Sequence, residues 1–195
     1  MQKICAKLVP KNLSVEQKAN WLEICQDLLG RIKIEQDFLD KVITGDESWV
    51  FDYNPETKLQ SAEWHTKSSC PKKAHMSKSR VKTMIIVFFD SRGTVHKEFV
   101  PPGQSVNHAF YKGVLKRLRK WVQRVRTKST DDWVLHHDNA PAHTALSFRD
   151  FLAKKNIPLH PHPHYSPDLA SCDFYLFPKL KSKLKGHHFG TMESV

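Results

Sequence analysis

A mixed α/β sheet covered by helices is the fold the sequence predicts. Three observations carry it. Apolar runs at 41–53, 81–90, 94–100, 133–137 and 157–160 read as strands and are interleaved with stretches of helical period. The run Met84-Ile85-Ile86-Val87-Phe88-Phe89 is apolar without a break, as in a strand buried on both faces. Two acids, Asp46 and Asp138, stand in or at the end of such runs.

The elements follow in order. Ser14, with Gln17 three positions on, has the form of a capping box, and Leu22, Cys25, Leu28, Leu29 and Ile32 keep helical spacing, so 14–29 is a helix. Residues 41–53 are a strand that holds Asp46. Residues 54–80 lack apolar periodicity and carry Asn-Pro, Ser-Ser, Cys-Pro and many Lys and Arg, which predicts a long basic loop with a short strand at Leu59–His65. Loops of this length in a compact domain are usually functional or disordered. Val81–Asp90 and Thr94–Val100 pair as a hairpin through Ser91-Arg92-Gly93. Pro101-Pro102-Gly103 ends the sheet there. The helix at 106–126 turns Phe110, Val114, Leu118, Trp121, Val122 and Val125 inward. Its outer face carries Lys112, Lys116, Arg117, Arg119, Lys120, Arg124 and Arg126, with no acid from Lys112 through Ser129. Trp133–His137 is a short strand ending at Asp138. A helix at 144–155, a strand at Ile157–His160 and a helix from about Leu169 to Leu184 complete the order.

Composition narrows the function. The 195 residues carry a formal charge of +11, with 39% apolar and 26% charged residues. That balance describes a folded chain whose favoured partner is a polyanion, bound with release of counterions. No run approaches 18 apolar residues, so no membrane span is expected, and the N-terminus has no secretory apolar region. Cys5, Cys25, Cys70 and Cys172 lack paired spacing, which favours free thiols over a disulfide framework.

The acids point to chemistry. Divalent cations that drive phosphoryl transfer need oxygen ligands, and two ions about 3.5–4 Å apart clamp the attacking and leaving oxygens. Carboxylates distant in sequence and adjacent in a sheet meet that need. Asp46 and Asp138 are two such candidates. The third is Asp173 or Asp168, both near the start of the last helix, and Asp168 also suits a first-turn acid. Asn139 is placed to bind phosphate or orient a ligand, or to make a turn. His136, His137 and His143 crowd Asp138, and His160, His162 and His164 alternate. A zinc site is the weaker reading, because prolines stiffen the alternating run and no cysteine pair accompanies it. Lys72, Lys73, Lys78 and Arg80 of the loop, with Lys112, Lys116, Arg119, Lys120 and Arg124 of the helix, are the candidate DNA contacts.

Four segments together carry a specific likeness: Ile-Thr-Gly-Asp-Glu-Ser-Trp (43–49), Phe-Val-Pro-Pro-Gly-Gln (99–104), His-His-Asp-Asn-Ala-Pro-Ala-His (136–143) and Tyr-Ser-Pro-Asp-Leu (165–169). They resemble the mariner transposases of the Tc1/mariner superfamily, over nearly the whole chain. The resemblance implies an RNase H-like fold and two Mg²⁺ or Mn²⁺ ions held by three aspartates. Thirty-four residues lie between the last two acids of that family, as between Asp138 and Asp173. On that ground the resemblance selects Asp173 over Asp168 and makes Asp46, Asp138 and Asp173 the catalytic and metal-binding set. It implies a clamp-like role for 54–80 in a homodimer, and transposon ends and target DNA as partners. A nuclear location, with no membrane, follows. Residues 1–35 correspond to a linker tail, in which Leu8 replaces the usual Trp, and the N-terminal helix. Residues 36–195 correspond to a catalytic domain shortened at its C-terminus, without the family's helix-turn-helix domains. His164 and Ser171 stand where Pro is common. The competing readings are a nuclease of the same fold and a non-catalytic DNA-binding or dimerisation module.

Overall fold

The computed structural model describes residues 9–64, 72, 74–126 and 132–187. Helix α1 (Val15–Ile34) starts at Ser14, whose hydroxyl accepts the Gln17 N–H at 3.2 Å while the Gln17 side chain accepts the Ser14 N–H at 3.1 Å. The helix runs on to Ile34 before Glu35 turns extended, farther than the expected Leu29. None of its residues is fully buried. A short helix α2 (Phe38–Lys41) takes the first residue of the expected strand and seats Phe38 in the core.

The sheet has the order β3-β2-β1-β4, with β1 at Val42–Phe51, β2 at Lys82–Asp90, β3 at Gly93–Phe99 and β4 at Val134–His136. β1 and β2 are antiparallel, as are β2 and β3, whereas β1 and β4 are parallel. Strand alternation divides the core in two. Ile43, Ile86 and Phe88 face helix α3 (His108–Val125), α5 (Leu146–Lys154) and Trp133. Val50, Ile85 and Val87 face Cys172 and Phe177 of the last helical segment. β2 is therefore buried on both faces, as its unbroken apolar run predicts. Gly45 is required where β1 crosses β2: a Cβ there would lie 2.2 Å from the Phe88 ring.

Three expectations are corrected. Trp121 and Val125, placed inward by helical period, are 40% and 42% exposed: Trp121 lies at the edge of the buried stripe of Leu118 and Val122, with its ring stacked 6.2 Å from that of His96 on β3, and Val125 is the last residue of α3. Ile157–His160 is reduced to one parallel bridge, Leu135 to Leu159. Leu135 N–H bonds to Pro158 O at 2.8 Å and His160 N–H to Leu135 O at 2.9 Å, but Pro158 and Pro161 have no N–H to extend a ladder. Within Leu59–His65, the described residues 59–64 form no strand. Thr57 and Gln60 cross-bond into a turn, and Gln60 Nε2 donates to Ser182 O at 2.8 Å, tying the loop to the last helix; His65 lies outside the described residues. No helix among the described residues is long and apolar enough to cross a membrane.

Candidate metal and nucleic-acid site

The register of β1 against β4 builds the site. Val42, Ile43 and Thr44 pair with Val134, Leu135 and His136. Two residues past the last pair stand Asp46, still within β1, and Asp138, in the loop that leaves β4, close enough that the charge of Asp138 acts on Asp46. Parity puts Asp46 on the face of Thr44 and Val50, toward the segment that carries Asp173. Asp138 and Asp173 line one cavity of about 300 Å³ with Asn139, His162, Tyr165 and Pro167.

The electrostatics record this convergence. The Asp46 carboxyl is pushed up to about 7, first by burial and then by the charges of Glu47, Asp138 and Asp173, against a bond from the Glu47 N–H. Burial, then the charge of Asp138, raises Asp173 as well. Asp138 goes the other way. Burial alone would raise it, but His143 Nδ1 at 2.8 Å and the Ala140 N–H at 3.0 Å bond to its Oδ1 and hold it below the usual carboxylate range. The three groups offer only carboxylate oxygens, and their negative charges work against one another. That donor set fits hard divalent cations.

His143, set beside Asp138 by sequence but given no role, and Glu47, left out because strand alternation points it away from Asp46, both join the site. A short helix α4 (Pro141–Thr144) starts with Pro141 at its first position and folds His143 back on Asp138. Its Nε2 lies 3.2 Å from Glu47 Oε1. Burial would lower its pKa, but the two carboxylates raise it to about 9, which favours the charged ring between them. Glu47 does point away from Asp46, as strand alternation requires, yet it reaches Asp138 through this ring. The available signal was the position of His143 five residues after Asp138, just beyond a helix-starting proline. His137, Asp138 and His143 place ligand atoms within 4.8 Å of one another. Both His143 nitrogens are already committed to carboxylates, however. Burial holds His136 down to about 3 and His137 to about 4, with neighbouring histidines adding to it, and His136 Nε2 meets His162 Nδ1 at 3.1 Å. Asn139 Nδ2 donates to His162 O, tying the loop after β4 to the proline-rich segment. Asp168 lines a different cavity, of about 530 Å³, with Pro10, Lys11, Trp21 and Tyr165.

The candidate DNA contacts divide into two surfaces. Lys72 and Arg80 are exposed on the loop, and Lys73 lies outside the described residues. Lys116, Lys120 and Arg124 are exposed on α3, where Lys112 and Arg119 are half-buried. This helix covers the sheet face opposite Asp46. Its outer face is less free than its sequence. Arg117 forms two bonds to Glu98, at 2.9 and 3.1 Å, and Arg126 two to Asp90, at 2.6 and 3.0 Å.

Comparison with known proteins follows the same lines. Residues 54–131 match the transposase family described as a partial DDE domain. The chain is 34% identical over its full length to the mariner Mos1 transposase of Drosophila mauritiana and spans 56% of that protein. It is 29% identical to the human histone-lysine N-methyltransferase SETMAR, over 97% of the chain and 28% of that protein. The crystal structure of the Mos1 mariner paired end complex with Mn superposes with a TM-score of 0.85 at 35% identity, covering the whole chain and 56% of its counterpart. The solved catalytic domain of Mos1 superposes with a TM-score of 0.76 at 34% identity, over 96% of this chain and 80% of that one. The mixed sheet flanked by helices is thus the RNase H-like fold of that domain.

Proposed function

The chain belongs to the mariner transposase family, matched through its catalytic domain, and from that premise we propose that it cuts and joins DNA strands with Mg²⁺ or Mn²⁺ held by Asp46, Asp138 and Asp173. One observation supports this above the others. The strand register that aligns Thr44 with His136 brings Asp46 beside Asp138, and Asp173 shares their field. When bound, the metal pair would supply activation of the attacking oxygen and neutralisation of charge on the phosphate. The protein's own groups prepare that site. His143 holds the Asp138 carboxylate in one orientation, and Glu47 holds His143. Lys72, Lys73 and Arg80, with Lys112, Lys116, Arg119, Lys120 and Arg124, would bind phosphates, which fix position without reading sequence.

The partners in this reading are transposon ends and target DNA, with a second copy of the chain reached through the loop at 54–80. Trp64 in that loop is fully exposed, as an anchor awaiting a partner surface would be. Residues 36–195 would form the catalytic unit and 1–35 its linker tail and leading helix, in a protein acting in the nucleus.

Metal-dependent nicking of supercoiled DNA tests the proposal. Wild-type protein should nick with Mg²⁺ or Mn²⁺, and Asp138→Ala should not. Strand transfer from pre-cleaved ends separates a transposase from a nuclease of the same fold. Tight DNA binding without nicking in either metal would leave only a binding module.

A further inference from the structure

The helical segment that bears Asp173 is not α-helical throughout: after a first bond from the Phe174 N–H to Ala170 O it widens. Cys172–Leu176 is a π-helical turn in which the Phe177 N–H bonds to Cys172 O, five residues back. Helix α6 (Phe177–Leu184) follows, with Pro178 as its second residue. In an α-helical register Pro178 would stand over the carbonyl of Phe174. It has no N–H to offer that carbonyl, and its ring would collide with it. The wider turn removes the conflict.

The same turn sets the phase of the side chains. Five α-helical residues at about 100° each leave their ends about 140° apart, whereas a bond spanning five residues closes them onto nearly one face. Cys172 and Phe177 are 1% and 3% exposed, and both pack on Val50, Ile85 and Val87. A plain α-helix would turn the two toward different faces. Asp173 follows the anchored Cys172 and so faces the cavity it shares with Asp138.

We infer that Pro178 is a positioning residue: it enforces the π-turn that aims Asp173 at Asp46 and Asp138. The inference rests on the reading of those acids as metal ligands. In Pro178→Ala the missing N–H returns and the segment is free to tighten. With Phe177 anchored, Cys172 and Asp173 then rotate by about 100° away from the cluster.

Two measurements on the full chain read this. Alkylation of Cys172 by iodoacetamide, followed by peptide mass spectrometry without metal, reports the turn alone. Electron paramagnetic resonance of free Mn²⁺ reports affinity. Pro178→Ala should raise Cys172 reactivity and weaken Mn²⁺ binding by about tenfold, as far as Asp173→Asn does, without lowering the melting temperature. Deleting the exposed Tyr175 in the Pro178→Ala chain removes the extra residue of the turn. Cys172 should then be protected again and Mn²⁺ affinity should return. Protected Cys172 with unchanged Mn²⁺ affinity in Pro178→Ala overturns the positioning role. Reactive Cys172 with unchanged affinity shows instead that Asp173 is no ligand, and the proposal falls with that reading. Should Pro178→Ala fail to fold, the deletion variant decides: wild-type Mn²⁺ affinity supports the inference and its loss overturns it.

Discussion

Replacing Arg126 should destabilise the fold through Asp90. Asp90 ends β2 with its side chain 3% exposed, and Arg126 grips both its oxygens at 2.6 and 3.0 Å. The Arg92 N–H adds a bond to Oδ1 at 2.9 Å. Arg126→Met leaves a buried carboxylate with that one donor. Breaking a buried pair costs about 3–5 kcal/mol, and the surviving bond places this case near 3. For a domain of this size that lowers the melting temperature by roughly 6–12 °C. The pH dependence is directional. Burial would raise the Asp90 pKa, but the hydrogen bonds from Arg126 and Arg92 and their charges lower it in the folded state. A depressed carboxylate contributes stability above its unfolded pKa of about 3.9 and loses it as pH falls through the folded value. The gap between wild type and Arg126→Met, measured by thermal and urea melts, should be full at pH 7 and shrink below about pH 4. Asp90→Asn/Arg126→Met should be closer to wild type than Arg126→Met. A loss under about 1 kcal/mol at pH 7, or a gap unchanged at pH 3, would refute the account of a paired buried charge.

Other outcomes follow from the same geometry. His143→Phe fills the same buried space without a charge, so Mn²⁺ affinity should drop about 10- to 100-fold in a folded protein, as for other residues that orient ligands; titration of Mn²⁺ against wild type checks it. Gly45→Ala forces a methyl into the Phe88 ring and should cost about 1–3 kcal/mol in urea unfolding, and Phe88→Leu should recover part of that loss. Changing Lys116, Lys120 and Arg124 together to Glu should reduce the salt dependence of DNA binding, lowering the slope of log K against log salt by about one for each phosphate no longer neutralised. Deleting 66–79 should leave the thermal transition of the sheet in place and shift the mass in solution toward the monomer; an unfolded deletion variant would place the loop in the core.

Local chemistry was legible without coordinates. The capping box at Ser14 and Gln17, the unbroken apolar run of β2 and the turn at Ser91–Gly93 act within a few residues, and each appears where expected. Asp46 and Asp138 could be singled out because they stand in or beside strand-forming runs. Pairing was not legible in this way. Arg117 and Arg126 belong to an uninterrupted basic face in sequence, and only the fold brings Glu98 and Asp90 from β3 and β2 against them. Trp121 keeps helical period with Leu118 and Val122, but only its stacking on His96 of β3 covers it, and it stays 40% exposed. The link from Glu47 through His143 to Asp138 joins residues 96 positions apart at its longer step. The π-turn at Cys172–Leu176 relieves the clash of Pro178 with the Phe174 carbonyl and brings Cys172 and Phe177 to one buried face, and helical period alone contains neither requirement. What sequence determined by itself was the course of the main helices and strands and the candidacy of Asp46 and Asp138, since these depend on backbone preference and side-chain chemistry; the choice of Asp173 over Asp168 came from the family resemblance. Tertiary structure decided the partner of each charge and the direction of each carboxylate, because both depend on which strands become neighbours.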